Sequence, residues 1–229
     1  MEREISAESQ KRVGRIAMAV MGLFILALAG GRAQAASFGF YLDGAGGSGA
    51  YDWQYDGFEY DVDVATSAMG LVIDTDPLGY SPASLRFNIG FEAQALEDDF
   101  DVTLDLGGIY LESIFAFHLI KDNNFSWWAG PLVRLGYYSG ETEVYYEYDG
   151  FDFYPVRDEV DLFQFGIGGA TGVNIVTAGG LILAPSLGVR FMSLDGTGKV
   201  LDLDYGVSTP SEDVSGDFTT VFVNLAVLF

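Results

Sequence analysis

Along most of this chain, large apolar residues alternate with small or polar ones. The clearest stretch sets Leu85, Phe87, Ile89, Phe91 and Ala93 against Arg86, Asn88, Gly90, Glu92 and Gln94, the period of two that a pleated strand imposes. Segments of this kind, each about 10 to 16 residues long, count to eight. The first begins at Ser37 with Phe38, Phe40 and Leu42 in phase, and the second ends at Asp74 with Met69, Leu71 and Ile73 in phase. The fourth sets Ile109, Leu111, Phe115, Phe117 and Leu119 opposite Glu112, Ile114, Ala116 and His118. Upstream of it, Leu104 and Leu106 sit in the other phase, which predicts a bulge near Gly107 and Gly108. The fifth opposes Trp127, Ala129, Pro131, Val133, Leu135 and Tyr137 to Trp128, Gly130, Leu132, Arg134 and Gly136. The sixth opposes Phe163, Phe165, Ile167, Val173 and Ile175 to Gln164, Gly166, Gly168, Ala170, Gly172 and Asn174. The seventh opposes Leu183, Leu187, Val189 and Phe191 to Ala184, Ser186, Gly188 and Arg190, and the eighth carries Val221, Val223, Leu225, Val227 and Phe229. Pro131 and Pro185 have no backbone donor, which predicts a bulge or a missing ladder bond at each.

The connections alternate in length. Residues 44–63, 139–161 and 194–216 read as long loops and 96–101 as a shorter one, while 75–82, 121–124 and 177–180 read as turns. An even number of antiparallel strands with turns on one side and longer loops on the other is the rhythm of a closed up-and-down barrel. Alternation alone does not say which face is inside, since a soluble barrel also alternates. The second face decides it: Gly90, Gly130, Gly136, Gly166, Gly168, Ala170, Gly172, Ala184, Ser186 and Gly188 would solvate poorly. They suit the narrow lumen of an eight-stranded barrel, which side chains fill. The bulky face then meets lipid, with Tyr80, Phe125, Trp127 and Phe229 near one edge of the band and Tyr137 near the other, as interfacial aromatics. The expected fold is an all-β, eight-stranded antiparallel transmembrane β-barrel.

Only one long apolar run exists. Residues 16–30 follow the cations Lys11, Arg12 and Arg15, and Ala33 and Ala35 supply small residues before a cut ahead of Ala36. That is the layout of a secretory signal peptide, expected over 1–35, with the barrel domain over 36–229. The alternative, a retained anchor, is disfavoured by an apolar core of about 15 residues where a span needs about 20. Cysteine is absent, which removes disulfides, thiolate metal sites and thiol nucleophiles.

The formal charge of −22 disfavours nucleic acid and anionic surfaces as partners. Most of it falls in the expected loops: Asp52, Asp56, Glu59, Asp61 and Asp63 in the first, and Glu97, Asp98, Asp99 and Asp101 in the second. Eight acids with Arg157 occupy the third, and Asp195, Asp202, Asp204, Glu212 and Asp213 with Lys199 the fourth. Such acids either solvate a surface or bind Ca²⁺ or Mg²⁺, which could bridge to lipopolysaccharide phosphates. Asp202, Asp204 and Asp213 are weak candidate ligands, because Gly206 falls where a calcium loop would place one. Tyr51, Trp53, Tyr55, Phe58 and Tyr60 interleave with acids in the first loop, as do Tyr145, Tyr146, Tyr148, Phe151, Phe153 and Tyr154 in the third. These aromatics suit either a recognition surface or hairpins that continue the barrel above the membrane.

The opening run of Ser37, Phe38, Gly39, Phe40, Tyr41 and Leu42, the alternating stretch 221–229 ending in an aromatic, and the eight-strand rhythm resemble the small outer-membrane barrels of Gram-negative bacteria, of the OmpX and OmpA membrane-domain type. The resemblance lies in pattern over residues 36–229 and in no specific motif. It implies the bacterial outer membrane as location and outer-membrane lipid and lipopolysaccharide as surroundings. It also implies that Val223, Leu225, Val227 and Phe229 form a signal for the barrel-assembly machinery.

Within the expected lumen, Glu92, Glu112, Arg134 and Arg190 fall at similar depth when counted from the turns. Unpaired charges in a narrow low-dielectric space are costly, so Glu92 and Glu112 are expected to neutralise Arg134 and Arg190, with the small residues of the sixth segment leaving room for both guanidinium groups. Arg86 and His118 complete the expected network. The network is either a satisfied plug or a gate whose ion pairs rearrange. His118 is the sole histidine, and Ile120 stands where a lipid A deacylase places its nucleophilic serine; no serine is expected within reach of it, so no enzyme activity is expected. No cofactor is expected beyond the weak cation sites. The expected role is a surface-interaction scaffold for a surface ligand or host partner, displaying acidic, aromatic loops over a plugged lumen; the alternative is a narrow porin-like channel.

Overall fold

The computed structural model describes residues 36–53, 58–98, 102–148, 152–202 and 207–229. The expected signal peptide lies outside them, as do Asp56, Asp99, Asp101 and Asp204. Eight long strands follow one another: β1 (Ser37–Trp53), β2 (Phe58–Asp74), β3 (Ala83–Asp98), β4 (Thr103–Asp122), β5 (Phe125–Tyr148), β6 (Asp152–Val176), β7 (Ile182–Asp202) and β8 (Glu212–Leu228). A two-residue segment, Val207–Ser208, pairs with the end of β7. Each strand pairs antiparallel with its sequence neighbour, and β1 pairs with β8, so the meander closes on itself. Following paired residues from Leu42 through Met69, Phe91, Ile109, Tyr137, Phe163, Asp195 and Ser215 returns to β1 at Asp52, ten positions above the start. That stagger tilts the strands by about 40° and leaves an interior that side chains can fill.

Two expectations are corrected here. The long loops are largely strand: β1 continues to Trp53 and β2 begins at Phe58, β5 continues to Tyr148 and β6 begins at Asp152, while β7 runs to Asp202 and a longer connection remains before β8 at Glu212. The acidic stretches are therefore largely strand, and they lengthen the barrel wall. Nor is there a bulge at Gly107 and Gly108. Both pair in unbroken register, with Ala93 and Glu92 on one side and Ser139 and Tyr138 on the other. The register of β4 shifts instead between His118 and Ile120.

The phase change that suggested a bulge has a different cause. Along β4, Leu104, Leu106, Tyr110, Glu112, Ile114, Ala116 and His118 are all buried, an uninterrupted alternation. What changes is the polarity of the two faces. In the lower barrel the outside is apolar and the inside is mixed, its buried charges set among apolar side chains such as Ile114, Trp128 and Phe222; above Gly107 the inside is apolar and the outside carries Asp105. The same inversion occurs on β3 between Phe91 and Glu97, on β6 between Phe163 and Asp161, and on β8 between Val221 and Asp217.

The two prolines interrupt one ladder each. Pro131 keeps its register with Gly169 on β6, while the β4 ladder skips from Ile114 opposite Leu132 to Phe117 opposite Ala129. Pro185 keeps Leu225 on β8, while the β6 ladder skips from Gly172 opposite Ser186 to Ile175 opposite Leu183. A residue without an N–H occupies positions where the ladder is already open.

Candidate functional site

The outside of the lower wall is a continuous belt of large apolar side chains, more than twenty of them exposed, including Phe91 at 71 %, Val223 at 64 % and Phe38 at 62 %. Each would gain about 1.5–3 kcal/mol on leaving water, and soluble monomers do not expose patches of this extent. On β8 the belt runs over 221–229, about the 9–11 residues a tilted strand needs to cross a bilayer. Trp127, Phe229 and Tyr80 stand exposed at its lower rim and Tyr137 at its upper rim. Phe229 packs edge-on against Phe38, centroids 5.0 Å apart, at the seam where β1 meets β8. Val223, Leu225 and Phe229 face outward with the rest of the belt. The fold is that of a membrane barrel.

Inside the belt, three arginines fill the lumen, each at 2 % exposure or less. Each arginine has a carboxylate partner and an aromatic face. Arg190 donates from both terminal nitrogens to Asp43, at 3.0 and 2.9 Å, and from Nε to Glu112 Oε2 at 2.8 Å; its guanidinium lies 3.7 Å from the ring centre of Phe222. Arg134 pairs with Glu92, has Glu112 at 3.6 Å and stacks 3.6 Å from the centre of Tyr110. Arg86 binds Asp74 at 2.8 Å and Asn174 Oδ1 at 2.8 Å, and lies 4.6 Å from the centre of Trp128. Bidentate pairing and cation–π stacking together desolvate a guanidinium at tolerable cost.

All six expected lumen residues thus point inward, and Arg134 and Arg190 share Glu112. Asp43 and Asp74 escape the sequence reading because one falls just past an outward-phased run and the other ends a segment. Their signal is available: each falls on the inward register of its strand. The small residues make room chiefly for rings. A Cβ on Gly172 would stand 2.6 Å from Trp128 Cζ2, and one on Gly188 would stand 2.6 Å from Phe222 Cε1.

Above the arginines, Tyr138 marks the border: its hydroxyl bonds Glu92 at 3.2 Å while its ring joins an apolar core of Val62, Val64, Leu96, Leu104, Leu106 and neighbours. This second layer lies within the part of the wall whose outside is acidic. Below the arginines, the connection 75–82 folds into the barrel end. Asp76, only 5 % exposed, accepts the backbone N–H of Tyr80 at 3.0 Å and of Ser81 at 2.5 Å. Asn174 donates to the carbonyl of Pro77, and Leu78 packs on the cluster of Ile182 and Leu228. Gly79, at φ +70°, lies against the His118 ring, where a Cβ would come within 2.9 Å; only glycine takes both that angle and that approach without strain.

The expectation that no serine reaches His118 is also corrected. Nδ1 is 2.7 Å from Ser126 Oγ and Nε2 is 3.3 Å from Ser84 Oγ. Ser126 lies eight positions on in the sequence, across the β4–β5 hairpin, where a search for a nearby motif does not look. Both serines are at most 4 % exposed, and the ring nitrogens are spent on their hydroxyls. The arrangement orients a buried histidine against the inserted turn.

Among the described residues no group of three or more His, Asp or Glu side chains is placed to share a metal ion. Asp213 is exposed opposite Thr197 on β7; Asp204 lies outside the described residues, as does the side chain of Asp202.

No family profile matches the chain, and no curated protein does. Among solved structures it is similar to Neisserial surface protein A, at 15 % identity over 83 % of this chain and 98 % of that one, with a TM-score of 0.36. It is also similar to a major outer membrane protein from Thermus thermophilus, at 14 % identity over 83 % and 100 % with a TM-score of 0.39. A third is the translocator domain of the autotransporter NalP from Neisseria meningitidis, at 12 % identity over 94 % and 97 % with a TM-score of 0.37. Likenesses this shallow add nothing to the strand pairing and the inverted faces, on which the membrane-barrel fold stands.

Proposed function

We propose that this protein is a closed outer-membrane barrel that anchors an acidic, water-exposed collar on the outer side of the membrane and serves as a scaffold for surface interactions. The observation that carries this reading is the layered filling of the lumen. An ion entering from below meets the inserted turn, then the arginine–carboxylate layer, then an apolar core with no charged member. Rearranging the ion pairs alone leaves the apolar layer shut. The short connection 123–124 and the turn 177–181 lie at the end opposite the collar, as periplasmic turns do. Asp61, Asp63, Glu97, Asp105, Glu141, Asp161, Asp195 and Asp217 then face outward above the lipid, suited to a partner that bears cationic groups.

The test is single-channel recording in planar bilayers with the wild type and Arg134→Ala. Both are expected to stay silent while migrating as folded barrels on unheated gels. Discrete conductance steps from the variant alone would replace the scaffold by a gated channel, and steps from both would replace it by an open pore. Proteolysis of intact cells tests the placement: the collar is expected to be the reachable part.

A further inference from the structure

On the outward face of the collar, one outward position above Tyr137 and Phe163, β5, β6 and β7, with Ser211 just before β8, line a notch of about 440 Å³. That is within the range of small-molecule sites. Ser139, Asp161 and Thr197 form one row across it and Glu141, Glu159 and Lys199 the next. The charges already have partners. Lys199 Nζ is 2.7 Å from Glu159, Arg157 Nη1 is 3.4 Å from Glu141, and Asp161 accepts the Tyr137 hydroxyl at 3.0 Å.

Three carboxylates, Glu141, Glu159 and Asp161, against one lining cation, Lys199, leave the notch net negative, which works against a phosphate. The carboxylates are not placed to share a cation. What remains is a concave, polar space with hydroxyl donors at Ser139 and Thr197 and open lone pairs on three carboxylates. A neutral, hydroxyl-rich ring matches that set, because each of its hydroxyls can both donate and accept. The notch opens sideways over the lipid, and Tyr137 below it stands at the upper edge of the apolar belt. Its occupant would therefore be reached from the membrane surface.

We propose that the notch binds a neutral sugar unit of a glycolipid headgroup in the surrounding leaflet. This rests on the reading that the belt lies in a bilayer with the collar outside it. The full-length protein is refolded into phosphatidylcholine nanodiscs doped with either digalactosyl diacylglycerol or phosphatidylglycerol, and bound lipid is counted by native mass spectrometry. The wild type is expected to retain the galactolipid about tenfold over phosphatidylglycerol, a difference of about 1.4 kcal/mol. Ser139→Trp and Thr197→Trp, which fill the notch from opposite walls, are expected to abolish the preference. Ser193→Trp, outward on β7 and outside the notch, is expected to keep it. Equal retention of the two lipids by the wild type, or a preference that survives both filling variants, overturns the proposal. Displacement of the galactolipid by an equal concentration of soluble digalactose would reassign the site to free saccharide. Insertion is followed separately by heat-dependent gel migration; a protein that does not insert overturns the membrane reading itself, and the notch proposal with it.

Discussion

Asp74→Asn and Glu112→Gln each remove one buried carboxylate without changing its shape, and the lumen geometry predicts which costs more. Glu112 is fully buried, accepts from Arg190 and Asn88, and stands 3.6 Å from Arg134. It faces two arginines and Asn88, where Asp74 faces one arginine and the backbone N–H of Asp76. Yet its loss leaves Arg190 bidentate on Asp43 and Arg134 on Glu92. Asp74 is the sole carboxylate within ion-pair distance of Arg86 among the described residues, and its loss strands that arginine with the amide of Asn174 and the face of Trp128. Stranding a buried charge costs about 3–5 kcal/mol, whereas weakening a hydrogen bond to a charge that keeps another partner costs about 1.5–3 kcal/mol. Asp74→Asn is therefore expected to be the more destabilising by about 2 kcal/mol. Urea unfolding of the barrel in lipid vesicles, read by tryptophan emission and checked by heat-dependent migration, measures both. A Glu112→Gln cost equal to or above that of Asp74→Asn would overturn this ordering, because the number of cations a carboxylate faces, and not the charge left uncompensated, would then set the penalty.

Other substitutions test the layers separately. Gly172→Ala, whose new methyl meets Trp128 and Ser186 at 2.6 Å, is expected to lose about 1–3 kcal/mol to overpacking in the same urea assay. Gly44→Ala, with no atom nearer than 3.9 Å, should stay within about 0.5 kcal/mol of wild type. Leu106→Asp puts a charge into the upper apolar core, where Leu106 is 3 % exposed; folded yield is expected to fall sharply, while Asp105→Leu on the outward face should fold normally. Phe229→Ala removes the edge-on contact with Phe38 and about 0.5–1.5 kcal/mol. If the terminal aromatic also serves assembly, that variant will refold in vitro but accumulate poorly in the outer membrane of cells, and equal accumulation would remove the assembly role.

What the sequence alone reveals depends on what each residue needs in order to be seen. Period-two alternation is local, so the strands and their outward faces can be read from Leu85 to Gln94 or from Phe163 to Ile175 without knowing the fold. Pairing is not local. Asp43 on β1 reaches past β8 to Arg190 on β7, and Asp74 reaches Arg86 across one hairpin, and only the register shows which carboxylate faces which cation. Acidity misleads in another way. Charge-rich stretches such as 139–161 resemble loops because water-facing positions are acidic in both, and the inward Val160, Leu162 and Tyr138 that make the wall a strand there are too few to stand out. The turn 75–82 carries no sign of folding inward beyond Gly79, whose need for positive φ is invisible until His118 is placed beside it.

The inversion of the wall gives the alternation a meaning that neither face has alone. A strand crossing from lipid to water must exchange the polarity of its two faces if its inside is to stay satisfied. In lipid, the outside supplies the apolar surface and the lumen can hold ion pairs; in water, the outside must be charged, so the apolar surface that folds the strand has to lie within. Tyr138 spans the exchange, with its hydroxyl on Glu92 and its ring among Leu106 and Leu162. The height of that exchange, read residue by residue from Phe163 to Asp161 and from Ile109 to Asp105, locates the membrane surface on the protein. It also bears on the proposed closure of the lumen: in this chain the strands that rise above the apolar belt carry an apolar layer inward with them.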